Sequence, residues 1–104
     1  MLIVEALSIS VYEKTERILR ALASKSRLRI LECIQRGVSN PGQIARELKR
    51  HRSTIEKHLR VLLSAGIVKK VPSLSKGGQL TVRYTIRENT KKLLASILEA
   101  SQNF

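Results

Sequence analysis

The stretch IARELKRHRSTIEKHLRVLLSAGIVKK, residues 44–70, decides the fold. It opens as amphipathic helix, with Ile44, Ala45 and Leu48 turned one way, and closes as another, with Ile55, Leu59 and Leu62 on one face. Between them stands KRHR, Lys49 to Arg52, where the first helix stops and the second begins. Just upstream, Asn40-Pro41 is a start signal: Asn caps the helix, and Pro suits its first position, where a backbone N–H would have no partner. Downstream, Gly66 supplies a left-handed stop. Two helices so closely joined, Pro41 to Leu48 and about 51–64, form a helix-turn-helix.

Working outward, Val68 to Val71 fits a strand, and Leu80, Val82, Tyr84 and Ile86 alternate strictly with Thr81, Arg83 and Thr85. The intervening Pro72 to Gln79 holds Gly77-Gly78, so the pair is a β-hairpin whose tip, about 72–80 and bearing Lys76, projects as a wing. On the other side, Leu28, Leu31 and Ile34 recur every third residue, with Ile30 and Cys33 beside them, in a helix capped by Ser24 or Ser26 and stopped by Gly37. Tyr12 to about Ala23 reads as a short amphipathic helix through Ile18, Leu19 and Leu22. The opening MLIVEALSISVY is ambiguous: its first residues are continuously apolar, Leu7, Ile9 and Val11 alternate with Ser8 and Ser10, and strand and helix both fit. A last helix, about 90–100, aligns Leu93, Leu94, Ile97 and Leu98. The fold class is mostly α with a small β-hairpin wing, a winged helix-turn-helix.

At 104 residues the chain has room for one domain, residues 1–104. Its 20 Lys and Arg face eight acids, all Glu, for a net charge of +12. Residues 46–60 hold six cations against Glu47 and Glu56, and residues 69–92 hold seven against Glu88. Such a field attracts polyanions, nucleic acid being the commonest, an anionic membrane the rival and a solvated basic face the plain alternative. The single Cys33 cannot form an internal disulfide, no signal-peptide pattern opens the chain, and no apolar run approaches the ~20 residues that span a bilayer. The expectation is a reduced, cytoplasmic protein without a membrane partner, associated with the nucleoid when bound to DNA.

On the second helix of the motif, Ser53, Thr54, Lys57, Arg60 and Val61 fall opposite Ile55, Leu59 and Leu62, so the outer face is basic and hydroxylic. It is entered through Arg50, His51 and Arg52. Cations at a helix N-terminus oppose the helix dipole and gain a folded domain nothing by themselves, which points to an external anion, phosphate, on a helix sized for a DNA major groove. Glu56 lies four residues from Arg52 and from Arg60, fit for an intrahelical ion pair or for accepting from cytosine N4. Gln43 and Arg83 complete the candidate contacts.

The runs RALASKSRLRILECI, QIARELKRHRSTIEKHLRVLLSAGIVKK and VRYTI resemble the ArsR-like winged helix-turn-helix regulators of bacteria and archaea, over about residues 17–86. The resemblance implies that His51, Arg52, Ser53, Thr54 and Lys57 face base edges or nearby phosphates, and that Lys76 reaches backbone or minor groove. It makes Arg27 either a solvated residue or a phosphate contact. Two departures stand out. Lys49 occupies the turn position where the family usually has Gly, so it takes a left-handed conformation or the turn lengthens. Many relatives sense metals through a cysteine pair on the first motif helix; here that helix is PGQIAREL, without a thiol, and the terminal ENTKKLLASILEA has neither Asp nor His.

His51 and His58, seven residues apart, are about 10.5 Å apart along a helix, too far to share a metal ion. His58 fits a half-buried packing residue, His51 a DNA contact or a solvated turn residue. No metal or cofactor is expected. With no Asp, no Gly-rich phosphate loop and no metal-ligand spacing, an enzyme is excluded. The expected function is sequence-specific binding of double-stranded DNA in transcription regulation; the alternative is a non-specific architectural DNA coater, which the same charge would serve. Since the core and hairpin use the apolar faces of residues 18–86, segment 1–11 and Leu93, Leu94, Ile97 and Leu98 are assigned to a homodimer interface.

Overall fold

The computed structural model describes the backbone of residues 2–104 and the side chains of residues 10–104. The order of elements is α1 (Leu2–Leu22), α2 (Lys25–Gln35), α3 (Pro41–Leu48), α4 (Arg52–Ser64), β1 (Val68–Leu74), β2 (Leu80–Ile86) and α5 (Glu88–Ser101). Strand and helix both suited the opening dozen residues; from Leu2 they are helical and run on without a break to Leu22, one 21-residue helix in place of a short one from Tyr12. A strand needs a partner for its backbone groups, and among the described residues the only strands are β1 and β2, already paired to each other. Helix propagation needs no partner, and the exposed Glu16–Arg20 pair adds a little to it. The side chains of segment 1–9 lie outside the described residues. From Ser10 to Arg17 every side chain is exposed; only Ile18, Ala21 and Leu22 reach the core.

Local chemistry sets the next boundaries. Ser24 caps α2, its Oγ accepting from Arg27 N–H at 3.2 Å. Gly37, at φ 91°, ends it, the Val38 N–H reaching back to Cys33 O at 2.9 Å. Asn40 caps α3 by accepting from the Gly42 and Gln43 N–H groups. At the turn of the motif, Lys49 takes the left-handed conformation, φ 55° and ψ 49°. Its N–H donates to Arg46 O, and Arg50 N–H donates to Ala45 O at 3.0 Å, so the helix closes as it would with glycine and the turn keeps its short length. The strain of a side chain at that φ is the cost.

β1 and β2 pair antiparallel from Val68↔Ile86 to Leu74↔Leu80. The strand therefore continues through Pro72 to Leu74, three residues past the expected end at Val71. Parity explains why proline is tolerated. Ser75 N–H bonds Gln79 O, which makes every second pair from there hydrogen-bonded and leaves Pro72↔Val82 among the others, its nitrogen turned away from β2.

Ile30, Cys33, Ile44, Ile55, Leu59, Leu62, Ile67 and Val68, fully buried, join α2, α3, α4 and the foot of the ribbon in one core. Each such side chain contributes about 1.5–3 kcal/mol. Tyr84 and Ile86 close it from β2. The last helix corrects one expectation. Leu94 is 4% exposed and Ile97 packs beside it against this same core, so those two have a partner within the subunit, while Leu93 and Leu98 remain at the surface. The turn that swings α5 back, with Arg87 N–H held by Ile67 O, joins residues far apart in sequence, which periodicity alone does not reveal.

Candidate nucleic-acid interface

Charge gathers where α4 begins. His51 stands at its N-cap but makes no side-chain cap; the Thr54 N–H bonds His51 O at 3.1 Å, and the Arg52 and Ser53 N–H groups have no side-chain cap. Around them Arg50, His51, Arg52, Ser53, Thr54 and Lys57 are exposed, with Arg60 one turn on, while Ile55, Leu59 and Leu62 anchor the opposite face. Arg52 Nε donates to Glu56 Oε1 at 3.2 Å, the intrahelical ion pair of the two options open for Glu56. The Nη1 atoms of Arg52 and Arg46 lie 3.8 and 3.9 Å from where a Cβ on Gly42 would stand. The first turns of α3 and α4 thus share one cationic edge, on which Gln43 is exposed. Arg46 is a member that the sequence did not single out; its three-residue distance from Gln43 was the available signal.

The wing is tied to this edge by one side chain. Asn40, besides capping α3, donates from Nδ2 to Thr81 Oγ1 at 2.9 Å and to Val82 O at 3.0 Å. Tyr84 N–H, turned away from β1 by the ribbon's parity, donates to Ser39 O at 2.9 Å. The wing is thus joined to the start of the motif by three hydrogen bonds. At its tip Gly78, φ 79°, closes the turn with an N–H to Ser75 O, and Lys76 is fully in solvent. Capping was legible in the sequence; the second use of Asn40 was not, though Asn, unlike Ser or Asp, retains two donors after its oxygen has capped.

Arg83 does not join the others. It alternates with Tyr84, whose ring faces α3 and α4, so it lies on the far face of the ribbon in a cleft with Lys69, Arg87 and Lys91. Arg27, for which a phosphate contact was one option, is turned inward. Its guanidinium donates to Ala21 O and to Arg20 O at 3.1 Å, satisfying the terminal carbonyls of α1, and reaches His58 Nδ1 at 3.2 Å. Arginine can only donate, so His58 Nδ1 accepts and the neutral ring carries its proton on Nε2. Burial, and then the Arg27 cation, hold this imidazole below its ordinary range. His58 is half-buried, as its place at the border of the apolar face implied. His51, by contrast, is exposed at the turn.

A trihelical core whose second and third motif elements carry a basic helix and a tethered β ribbon defines a winged helix-turn-helix domain. The helix-turn-helix domain family matches residues 17–71. Among solved structures, the homodimeric winged helix-turn-helix DNA-binding domain Mb0332 from Mycobacterium bovis, a possible ArsR-family transcriptional regulator, superposes with a TM-score of 0.79 at 23% identity, covering 92% of this chain and 85% of that one. An ArsR-like transcriptional regulator from Rhodococcus sp. RHA1 gives 0.68 at 24% identity, over 90% and 84%. The cadmium metal-sensor CMTR from Mycobacterium tuberculosis gives 0.60 at 35% identity, over 78% and 80%. Comparison with curated protein sequences gives no match. The chain belongs to the helix-turn-helix domain family, and its fold is that of the winged helix-turn-helix domains on which it superposes.

A metal of the kind CMTR senses does not fit the residues present. Cys33 is fully buried, burial pushes its thiol up, and its Sγ faces Arg36 Nη2 at 3.7 Å. Among the described residues, no three His, Cys, Asp or Glu side chains come together to hold an ion. Nor is any described helix long and apolar enough to cross a membrane.

Proposed function

We propose that this chain is a sequence-specific, double-stranded DNA-binding transcription regulator that works as a homodimer on the nucleoid, one winged domain spanning residues 1–104. The observation that carries the reading is the start of α4: an uncapped helix N-terminus ringed by Arg50, His51, Arg52, Ser53, Thr54 and Lys57, standing clear of the core. A helix of that diameter enters the major groove, where Thr54 and Arg52 meet base edges and Arg50, Lys57 and Arg60 meet flanking phosphates. The tether through Asn40 holds Lys76 on the same duplex, on backbone or minor groove. Gln43 supports from α3.

Dimerisation is favoured by apolar side chains that are left exposed among the described residues. Val11 and Tyr12 on α1 are 53% and 70% exposed, and Leu98 on α5 is 52% exposed. The Mycobacterium bovis relative is described as homodimeric. Two-fold pairing sets two copies of α4 about 34 Å apart, one helical turn of DNA, and makes the target a near-palindrome.

The non-specific reading is favoured by one observation, the second basic surface on the far side of the ribbon, where Lys69, Arg83 and Arg87 lie beside the Lys91–Glu88 ion pair. Substitution separates the two. Thr54→Ala and Arg52→Ala should each cost about 1–3 kcal/mol on a site selected from random DNA and flatten its sequence preference. Lys76→Ala should weaken all duplexes alike and make the salt slope shallower by about one unit. Equal losses on selected and random DNA for all three variants would establish the coater instead.

A further inference from the structure

One cleft near the motif involves a helix to which no DNA contact has been assigned. Between α2 and α4, beside the turn, a cavity of about 170 Å³ is lined by Ser26, Arg29, Leu48, Arg50, Thr54 and His58, with Ile55 at its floor. No acid lines it. Neither Arg29 nor Arg50 has a carboxylate within ion-pairing distance among the described residues, whereas Arg20, Arg36 and Arg52 each do. Two guanidinium groups in one cleft repel unless an anion lies between them, and their planar donor forks match the geometry of phosphate. Ser26 adds a hydroxyl donor. His58 adds another: because Nδ1 accepts from Arg27, the ring proton is on Nε2. The cleft thus offers donors from α2, the turn and α4. A phosphate group, four oxygens about one phosphorus, fits a volume of about 170 Å³.

We infer that this cleft binds one phosphodiester of the DNA backbone, with Arg29 of α2 and Arg50 of the turn as its two cationic jaws and Ser26 and His58 as neutral donors. The inference rests on the DNA-binding function proposed above and extends it: α2, which precedes the motif, becomes a third point of attachment beside α4 and the wing. It also accounts for a difference between near neighbours. Arg27 turns inward to the end of α1, while Arg29 remains exposed with no ion-pair partner among the described residues.

The test is Arg29→Gln in the full chain, with Lys92→Gln on α5 as the control, both titrated by anisotropy into a selected and a random duplex over a range of salt. Arg29→Gln should weaken both duplexes alike, about fivefold at 0.15 M salt, and make the log–log salt slope shallower by about 0.9. Its melting temperature should stay that of the wild type, since the side chain is exposed and unpaired. Lys92→Gln should leave affinity and slope in place. Unchanged affinity and slope in Arg29→Gln, with the wild type binding duplex, overturns the inference while leaving the function proposed for α4 intact. Should the wild type bind no duplex, that function fails first, and inorganic phosphate becomes the probe. A saturable shift of the His58 ring signals, lost in Arg29→Gln, then marks the cleft as a site for free phosphate and not for a backbone; the absence of a shift overturns the anion site altogether.

Discussion

Asn40 performs two tasks with one side chain, and substitution can separate them. Its Oδ1 accepts from Gly42 N–H at 2.9 Å and Gln43 N–H at 3.4 Å, a cap contributing ~1 kcal/mol. Its Nδ2 donates to Thr81 Oγ1 and Val82 O at 2.9 and 3.0 Å, each bond contributing ~1 kcal/mol net. Asn40→Ala removes everything and should destabilise by about 2–3 kcal/mol. Asn40→Ser keeps a capping oxygen and loses only the tie to the wing, about 1–2 kcal/mol. Asn40→Asp is the sharper probe: it caps and favours the helix dipole by about 0.3–1 kcal/mol, yet sets a carboxylate oxygen against the Val82 carbonyl. It should therefore fall below wild type despite being the better cap. Urea unfolding at one fixed protein concentration measures all three, fixed because a dimer's stability depends on it. If Asn40→Ser and Asn40→Asp unfold with the wild type while Asn40→Ala does not, the wing tie contributes nothing and Asn40 is only a cap.

Lys49→Gly should stabilise the domain by about 0.5–1 kcal/mol, because relief of left-handed strain exceeds the extra freedom glycine brings to the unfolded chain; a less stable variant in the same urea assay would contradict that strain. Leu98→Glu should leave the subunit folded but monomeric at micromolar concentration by sedimentation, whereas Leu94→Glu, by placing a charge in the core, should unfold it. A monomeric wild type, or a dimeric Leu98→Glu, would remove α5 from the interface.

The parts of the fold that local chemistry determines were legible in advance. Asn40-Pro41, Gly37 and Gly66 each mark a helix end through their own backbone preferences, and Leu80 to Ile86 alternates because one face of the ribbon is buried. The outer face of α4 was legible for the same reason, since a helix that buries Ile55, Leu59 and Leu62 must expose Ser53, Thr54 and Lys57. Pattern could not supply relations between distant residues. Arg27 looks like any solvated cation until α1 ends beside it, and Leu94 looks unpartnered until α5 folds back on the core. Pro72 suggested a strand end, which holds only where its nitrogen faces a partner strand. The first eleven residues carry both periodicities, and there the absence of a partner strand among the described residues decided for helix.

The hydrogen-bonding parity of the ribbon has a consequence for how the protein behaves at high local concentration. A two-stranded ribbon has two open edges, and an open edge invites a strand from another molecule. Here each edge is spoiled. On β1 the outward-facing position at the middle of the strand is Pro72, which has no N–H to offer, and its outward neighbour Lys70 is an exposed cation. On β2 two of the outward groups at the middle of the strand are already engaged, Tyr84 N–H by Ser39 and Val82 O by Asn40. Copies crowded side by side along a duplex can therefore touch wing to wing without their sheets fusing, and the same residues that aim the wing keep neighbouring molecules separate.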